Sequence, residues 1–166
     1  MGCLKFIVTC VFAFILLFLI TAGVLYGAFI LKDWDKYGIN TTLWFSDEKH
    51  EYVDGGFGDV IKYSEYHFNK ESIQKFTHSK WYKKVQSTDI EIIKGYFENY
   101  SGWIAQTEFA DKYNFELDCI NEGDFYYIYT LEGKPIGQSV YRKYDNYDVY
   151  FLDMETCTVY FIHANI

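Results

Sequence analysis

Between Phe6 and Leu31 the sequence contains no charged residue and no proline. The missing charge excludes an ordinary surface helix, which turns a polar face to water. The missing proline leaves helical hydrogen bonding uninterrupted. At about 1.5 Å per residue, these 26 residues reach past a hydrocarbon core of about 30 Å. Seventeen of them are Leu, Ile, Phe or Val, and each favours insertion by roughly 0.3 to 0.6 kcal/mol. Residues 6–31 are therefore expected to form one transmembrane helix in the lipid bilayer, behind a short tail over residues 1–5. A cleaved secretory signal has an apolar stretch of only about 7 to 15 residues. Here Val24 to Leu31 continues beyond the one drawable cut, after Gly23, so the segment reads as the retained signal anchor of a single-pass membrane protein. Gly2 and Cys3 do not complete a myristoylation pattern, because Phe6 stands where Ser or Thr is required.

Lys5 precedes the anchor while Lys32 and Lys36 follow it, and the lysine count alone places the C-terminal flank in the cytoplasm. A tail of five residues before a long apolar run instead behaves, by analogy, as an uncleaved signal anchor. On that ground the following domain is expected outside the cytoplasm. Basic charge is scarce there: 14 basic residues stand against all 23 acidic ones, a formal −9. Phosphate binding draws on Lys and Arg, so no nucleic-acid partner is expected. Lys80, Lys83 and Lys84 around Trp81 and Tyr82 read as a solvated helix face.

Catalytic signatures are also missing. His50, His67, His78 and His163 are scattered, with no pair at i, i+4 spacing that would place two imidazoles on one helix face for zinc. His50 has acidic neighbours in Asp47, Glu48, Glu51, Asp54 and Asp59, but they lack the spacing of a calcium loop. Ser46 to Lys49 matches the Ser-x-x-Lys string without its partner motifs. Gly55-Gly56-Phe57-Gly58 lacks the strand-before, helix-after setting of a phosphate loop. No metal and no cofactor is expected. Only Cys119 and Cys157 lie outside the anchor. They could pair in an oxidising compartment, closing a long loop worth up to about 4 kcal/mol, or remain half-buried thiols.

What is present suits one α+β domain. Residues 32–58 read as a juxtamembrane segment and linker, with Trp34, Tyr37 and Trp44 suited to the membrane interface and a polar run from Ser46 to Glu51. Residues 59–166 read as the soluble domain, a C-terminal antiparallel meander packed against two or three helices. Val60 to Phe68 is β-branched and aromatic, as a strand requires. Asn69 can cap a helix running toward Val85, broken near Thr77 to Ser79. Thr88 to Glu91 is a capping-box sequence, and Ile90, Ile93, Phe97, Tyr100 and Ile104 follow at helical spacing, with Gly102 a point for a stop or kink. The meander comprises Asp124 to Leu131, Ile136 to Tyr144, Tyr147 to Asp153 and Thr158 to His163. A three-residue loop over Met154 to Thr156 would set Tyr150 opposite Tyr160 and Phe151 opposite Val159.

Tyr126, Tyr150 and Tyr160 recur in a Tyr-x-aliphatic pattern and are the candidate aromatic binding face, since tyrosine is enriched at recognition surfaces. Gly23 and Gly27 form a small-residue step through which anchor helices could pack into a homodimer. The expected function is a membrane-tethered, non-enzymatic binding or interaction module for a protein or envelope partner. The alternatives are an envelope-acting hydrolase drawing a carboxylate pair from Glu65, Asp118, Glu122 or Asp124, and an accessory subunit of a larger membrane protein.

Overall fold

The computed structural model describes Val11, residues 14–24, Leu43, residues 46–55 and residues 59–166. The chain divides into two units, Met1–Thr41 and Thr42–Ile166. In the first, residues 14–24 are helical. Their large apolar side chains are 50 to 72% exposed, and Thr21 Oγ1 donates back to the Leu17 carbonyl at 2.8 Å. The rest of the expected 6–31 helix lies outside the described residues, as do Trp34, Tyr37 and Trp44. Among the described residues, no helix is long and apolar enough to cross a membrane.

The second unit is α+β. Its main sheet is antiparallel throughout, in the order β1 (Glu48–Gly55), β2 (Val60–His67), β8 (Thr158–Asn165), β7 (Asn146–Asp153), β4 (Phe125–Thr130), β3 (Lys83–Lys84). Helices α1 (Lys70–Thr77) and α2 (Ser87–Ile104) come between β2 and β4 in sequence. A two-stranded excursion, β5 (Pro135–Ile136) with β6 (Ser139–Val140), interrupts the meander. The segment expected as one strand from Ile136 to Tyr144 is thus strand only at Ile136 and at Ser139–Val140.

The apolar row of α2 behaves as its spacing predicts: Ile93, Phe97, Tyr100 and Ile104 are buried. They meet Tyr63, Tyr147, Val149, Phe151 and Ile162 from one face of the sheet. Phe97 stacks on Phe115 at 3.9 Å between ring centroids and meets the Phe151 ring edge-on at 6.3 Å. On the opposite parity of β2, Tyr66 and the adjoining Phe68 are buried with Ile73 and Phe76 of α1 and with Tyr82. Both sheet faces are apolar, because each has a helix.

Asn69 caps α1 as expected, its Oδ1 accepting from the Ser72 amide at 2.9 Å. The start of α2 differs by two residues. Gln86 is the N-cap, and Asp89, rather than Glu91, reaches back to accept from the Gln86 amide at 3.0 Å. The helix also runs through Gly102 to Ile104.

Two further differences have physical causes. The polar run assigned to a linker enters β1, which among the described residues has a strand partner on one side only. An edge strand favours alternating charge that resists aggregation, so its composition resembles a loop. The β7–β8 turn spans four residues, with Asp153 opposite Thr158, Tyr150 opposite Phe161 and Phe151 opposite Tyr160. Asp153 accepts from the Glu155 and Thr156 amides and from Thr156 Oγ1, and Cys157 takes a left-handed φ of 58°. That extra residue shifts the register by one.

Glu51 ties β1 to its neighbour, 2.8 Å from both Lys49 Nζ and Lys62 Nζ, and its Oε1 accepts from Tyr66 Oη at 3.1 Å. Burial by itself raises the Glu51 pKa, but the hydrogen bonds and charges of the two lysines outweigh it and bring the carboxyl down to about 2. A depressed acid contributes stability above its unfolded value of about 4.3 and loses it as pH falls toward the folded value. Urea midpoints measured at pH 6 and pH 3 should therefore fall less in Glu51→Gln than in the wild-type chain. An equal fall would remove Glu51 from acid stability.

Candidate functional site

The residues singled out from sequence are not gathered in one place. Tyr126, Phe151 and Tyr160 are opposed across neighbouring strands and share the α2 face, whereas Tyr150 is opposed to Tyr127 and Phe161 on the other face. The three tyrosines therefore do not form one surface. Gly23 has open space where a Cβ would stand, and Gly27 lies outside the described residues. Cys119 and Cys157 are free thiols.

The carboxylates are also dispersed. Asp118 is fully exposed, 3.8 Å from Lys94 Nζ, and Glu122 is exposed. Asp124 is buried, and its two oxygens accept the Asn121 and Met154 amides at 2.9 and 3.0 Å. Asp153 is spent on its own turn. Both aspartates thus hold loops in place.

Burial raises the Cys119 thiol to about 12, with the Asp153 and Asp124 charges adding to it. A thiol reacts as its thiolate, so alkylation of Cys119 in the native chain at pH 8 should run at least about 100-fold slower than in the urea-unfolded chain. Mass-spectrometric labelling checks this. A Cys119–Cys157 crosslink found without reductant would contradict the free-thiol state.

Glu65 occupies a more concentrated polar setting. His50, Glu65 and Tyr160 are opposed across β1, β2 and β8. Glu65 is buried, accepts from Tyr63 Oη at 2.5 Å and lies 3.6 Å from His67 Nε2. His67 Nδ1 is 3.0 Å from Thr158 Oγ1, and His50 Nε2 is 3.1 Å from Glu48 Oε1. Burial, followed by the Glu65 hydrogen bond, holds the Tyr63 phenol far above its ordinary range, so it remains a proton donor to Glu65. Each imidazole has a carboxylate of its own, and the two rings are 6.0 Å apart. Among the described residues, no group of three or more His, Cys, Asp or Glu is placed to hold a metal ion.

At the other end of the same face is a cavity of about 240 Å³, lined by Asp54, Gly55, Asp59, Val60, Ile61, Trp103, Gln106, Thr107 and Ile166. The β1–β2 hairpin supplies one wall and the C-terminal end of α2 the other. Asp54 stands opposite Ile61 and Gly55 opposite Val60, so pairing brings Asp54 and Asp59 back toward each other. Trp103 Nε1 donates to Asn99 Oδ1 at 3.2 Å, which turns the polar edge of the indole back to its own helix. Tyr147 Oη donates to the same oxygen at 3.1 Å. The two aspartates were visible in the sequence only as neighbours of His50, and no local pattern marked Trp103 as theirs. This chain matches no protein-family profile, no curated protein and no solved structure.

Proposed function

We propose that this chain is a membrane-tethered, non-enzymatic binding module, anchored over residues 6–31 with its α+β domain outside the cytoplasm. The observation that carries the tether is the exposed apolar helix over residues 14–24. In water such a surface costs roughly 25 cal/mol per Å², whereas lipid removes that cost. Thr21 returns its hydroxyl to the Leu17 carbonyl, which suits a medium with no water to bond it. The −9 charge of the domain and its supply of aromatic residues support binding, and the hydrolase candidates Asp118, Glu122 and Asp124 are dispersed rather than paired.

Membranes from cells making the full chain should retain it through an alkaline carbonate wash and release it to detergent. Leu17→Asp with Phe18→Asp adds roughly 6 to 8 kcal/mol to the cost of insertion and should send the chain to the wash. A wild-type chain found in the wash would overturn the tether, and a mature N-terminus near Val24 would make the segment a cleaved signal. Protease added to intact cells should remove the domain, and full protection would reverse the orientation.

A further inference from the structure

We propose that the cavity between the β1–β2 hairpin and the end of α2 accepts a basic side chain, Lys or Arg, from a partner protein. The inference rests on the binding-module reading and names what is bound. Donors and acceptors at the walls carry it. Gln106 Nε2 donates to the Gly102 carbonyl at 3.0 Å, leaving its Oε1 as an acceptor. Thr107 Oγ1 donates to the Ile104 carbonyl at 2.8 Å and accepts from the Phe109 amide at 3.1 Å. The Trp103 N–H is committed to Asn99. The side chains of Asp54 and Asp59, both in the lining, have no ion pair or hydrogen bond among the described residues. The uncommitted side-chain polar groups of the lining are thus the Gln106 amide, with one N–H and its Oε1, and the four carboxylate oxygens of Asp54 and Asp59, so acceptors and negative charge dominate.

Such a lining repels anions and offers a neutral acceptor only the one remaining N–H of Gln106. A hard metal ion wants six to eight oxygens, more than two carboxylates and an amide provide beside an apolar wall. An ammonium or guanidinium on an aliphatic stem matches both parts: the head donates to the carboxylates while the stem lies along Val60, Ile61 and the carbon edge of Trp103. The cavity is smaller than the roughly 300 to 1,000 Å³ of small-molecule sites. It therefore suits one side chain better than a whole ligand. It also adjoins β1, the sheet edge along which a partner chain can run. The acidic domain would steer a basic partner toward it.

The test uses the full chain in detergent micelles with ¹⁵N-labelled tryptophan, the Trp103 indole signal being assigned from Trp103→Phe. N-acetyl-arginine amide should shift that signal saturably, and its neutral isostere N-acetyl-citrulline amide should bind at least tenfold more weakly. Asp54→Asn with Asp59→Asn preserves shape, should keep the wild-type urea midpoint, and should weaken arginine-amide binding at least tenfold. No saturable shift, equal binding of the citrulline compound, or unchanged binding by the double variant overturns the proposal. Spermidine binding more than tenfold tighter than arginine amide would assign the cavity to free amines instead. A wild-type chain that stays in the carbonate-washed membrane but shows no saturable arginine-amide shift would sink this inference while the tethered-module reading stands. A carbonate-soluble wild-type chain removes the tether irrespective of the titration.

Discussion

Replacing Phe97 with alanine is expected to lower the stability of the domain by about 4 kcal/mol and its Tm by roughly 15 °C. Phe97 is completely buried in the middle of α2. Its ring is stacked on Phe115 and edge-on to Phe151, so truncation removes contacts to the helix, to the loop after it and to the central strand together. The neighbours are aromatic rings held by other rings, Phe115 against Tyr160 at 4.8 Å and Phe151 against Tyr160 at 6.4 Å, and they cannot all collapse into the gap. Phe97→Leu keeps most of the volume and should cost less than half as much. Urea unfolding of the detergent-solubilised chain, followed by far-ultraviolet circular dichroism, measures both. A loss below about 1 kcal/mol in Phe97→Ala would mean that α2 is not the principal cover of this face.

Gly55→Val is expected to cost about 3 kcal/mol, for a different reason. Gly55 has φ of 135°, and a Cβ there would stand 2.2 Å from the Asp59 carbonyl oxygen and 2.8 Å from the Val60 Cα. Both obstacles are backbone across the hairpin, so no rotamer change relieves them, and the left-handed conformation adds strain of order 1 to 3 kcal/mol. Gly133→Ala is the control: φ is 75°, but a Cβ would meet nothing within 4 Å, leaving only the backbone term, about 1 kcal/mol. Because Gly55 is part of the cavity wall, Gly55→Val should also abolish the arginine-amide response, while Gly133→Ala should leave it intact. Equal urea midpoints for the two variants would show that the hairpin relaxes around the added side chain.

The legible parts of the fold are those encoded over one turn of helix or a few residues of strand. Asn69 announced α1 because a cap bonds within its own turn. The spacing of Ile93, Phe97, Tyr100 and Ile104 announced α2 and its buried stripe. The β-branched and aromatic run from Val60 announced β2, and similar runs announced β4, β7 and β8. The capping box was missed by two residues because Thr88 and Glu91 match the pattern as well as Gln86 and Asp89 do, and only the backbone geometry distinguishes them.

The candidate site was far less legible. The charged and scattered residues from Glu48 to Asp54 become a strand only because β2 is there to pair with them, and that pairing carries Asp54 back beside Asp59. Trp103 joins them because α2 crosses this face, a relation between residues more than 40 positions apart that no local pattern carries. The separation of Tyr150 from Tyr160 was likewise decided by one turn, since Asp153 and the left-handed Cys157 make it four residues long and a one-residue slip sends a side chain to the other side of a sheet, while the β4–β7 register separates Tyr126 from Tyr150. The sequence alone therefore determined composition-level and local properties: an acidic α+β domain, its capped helices, most of its strands, and an uncharged N-terminal segment from Phe6 to Leu31. Tertiary structure alone decided register, edge and cavity, because these depend on cross-strand contacts that cost chain entropy to form and become defined only once the core has closed.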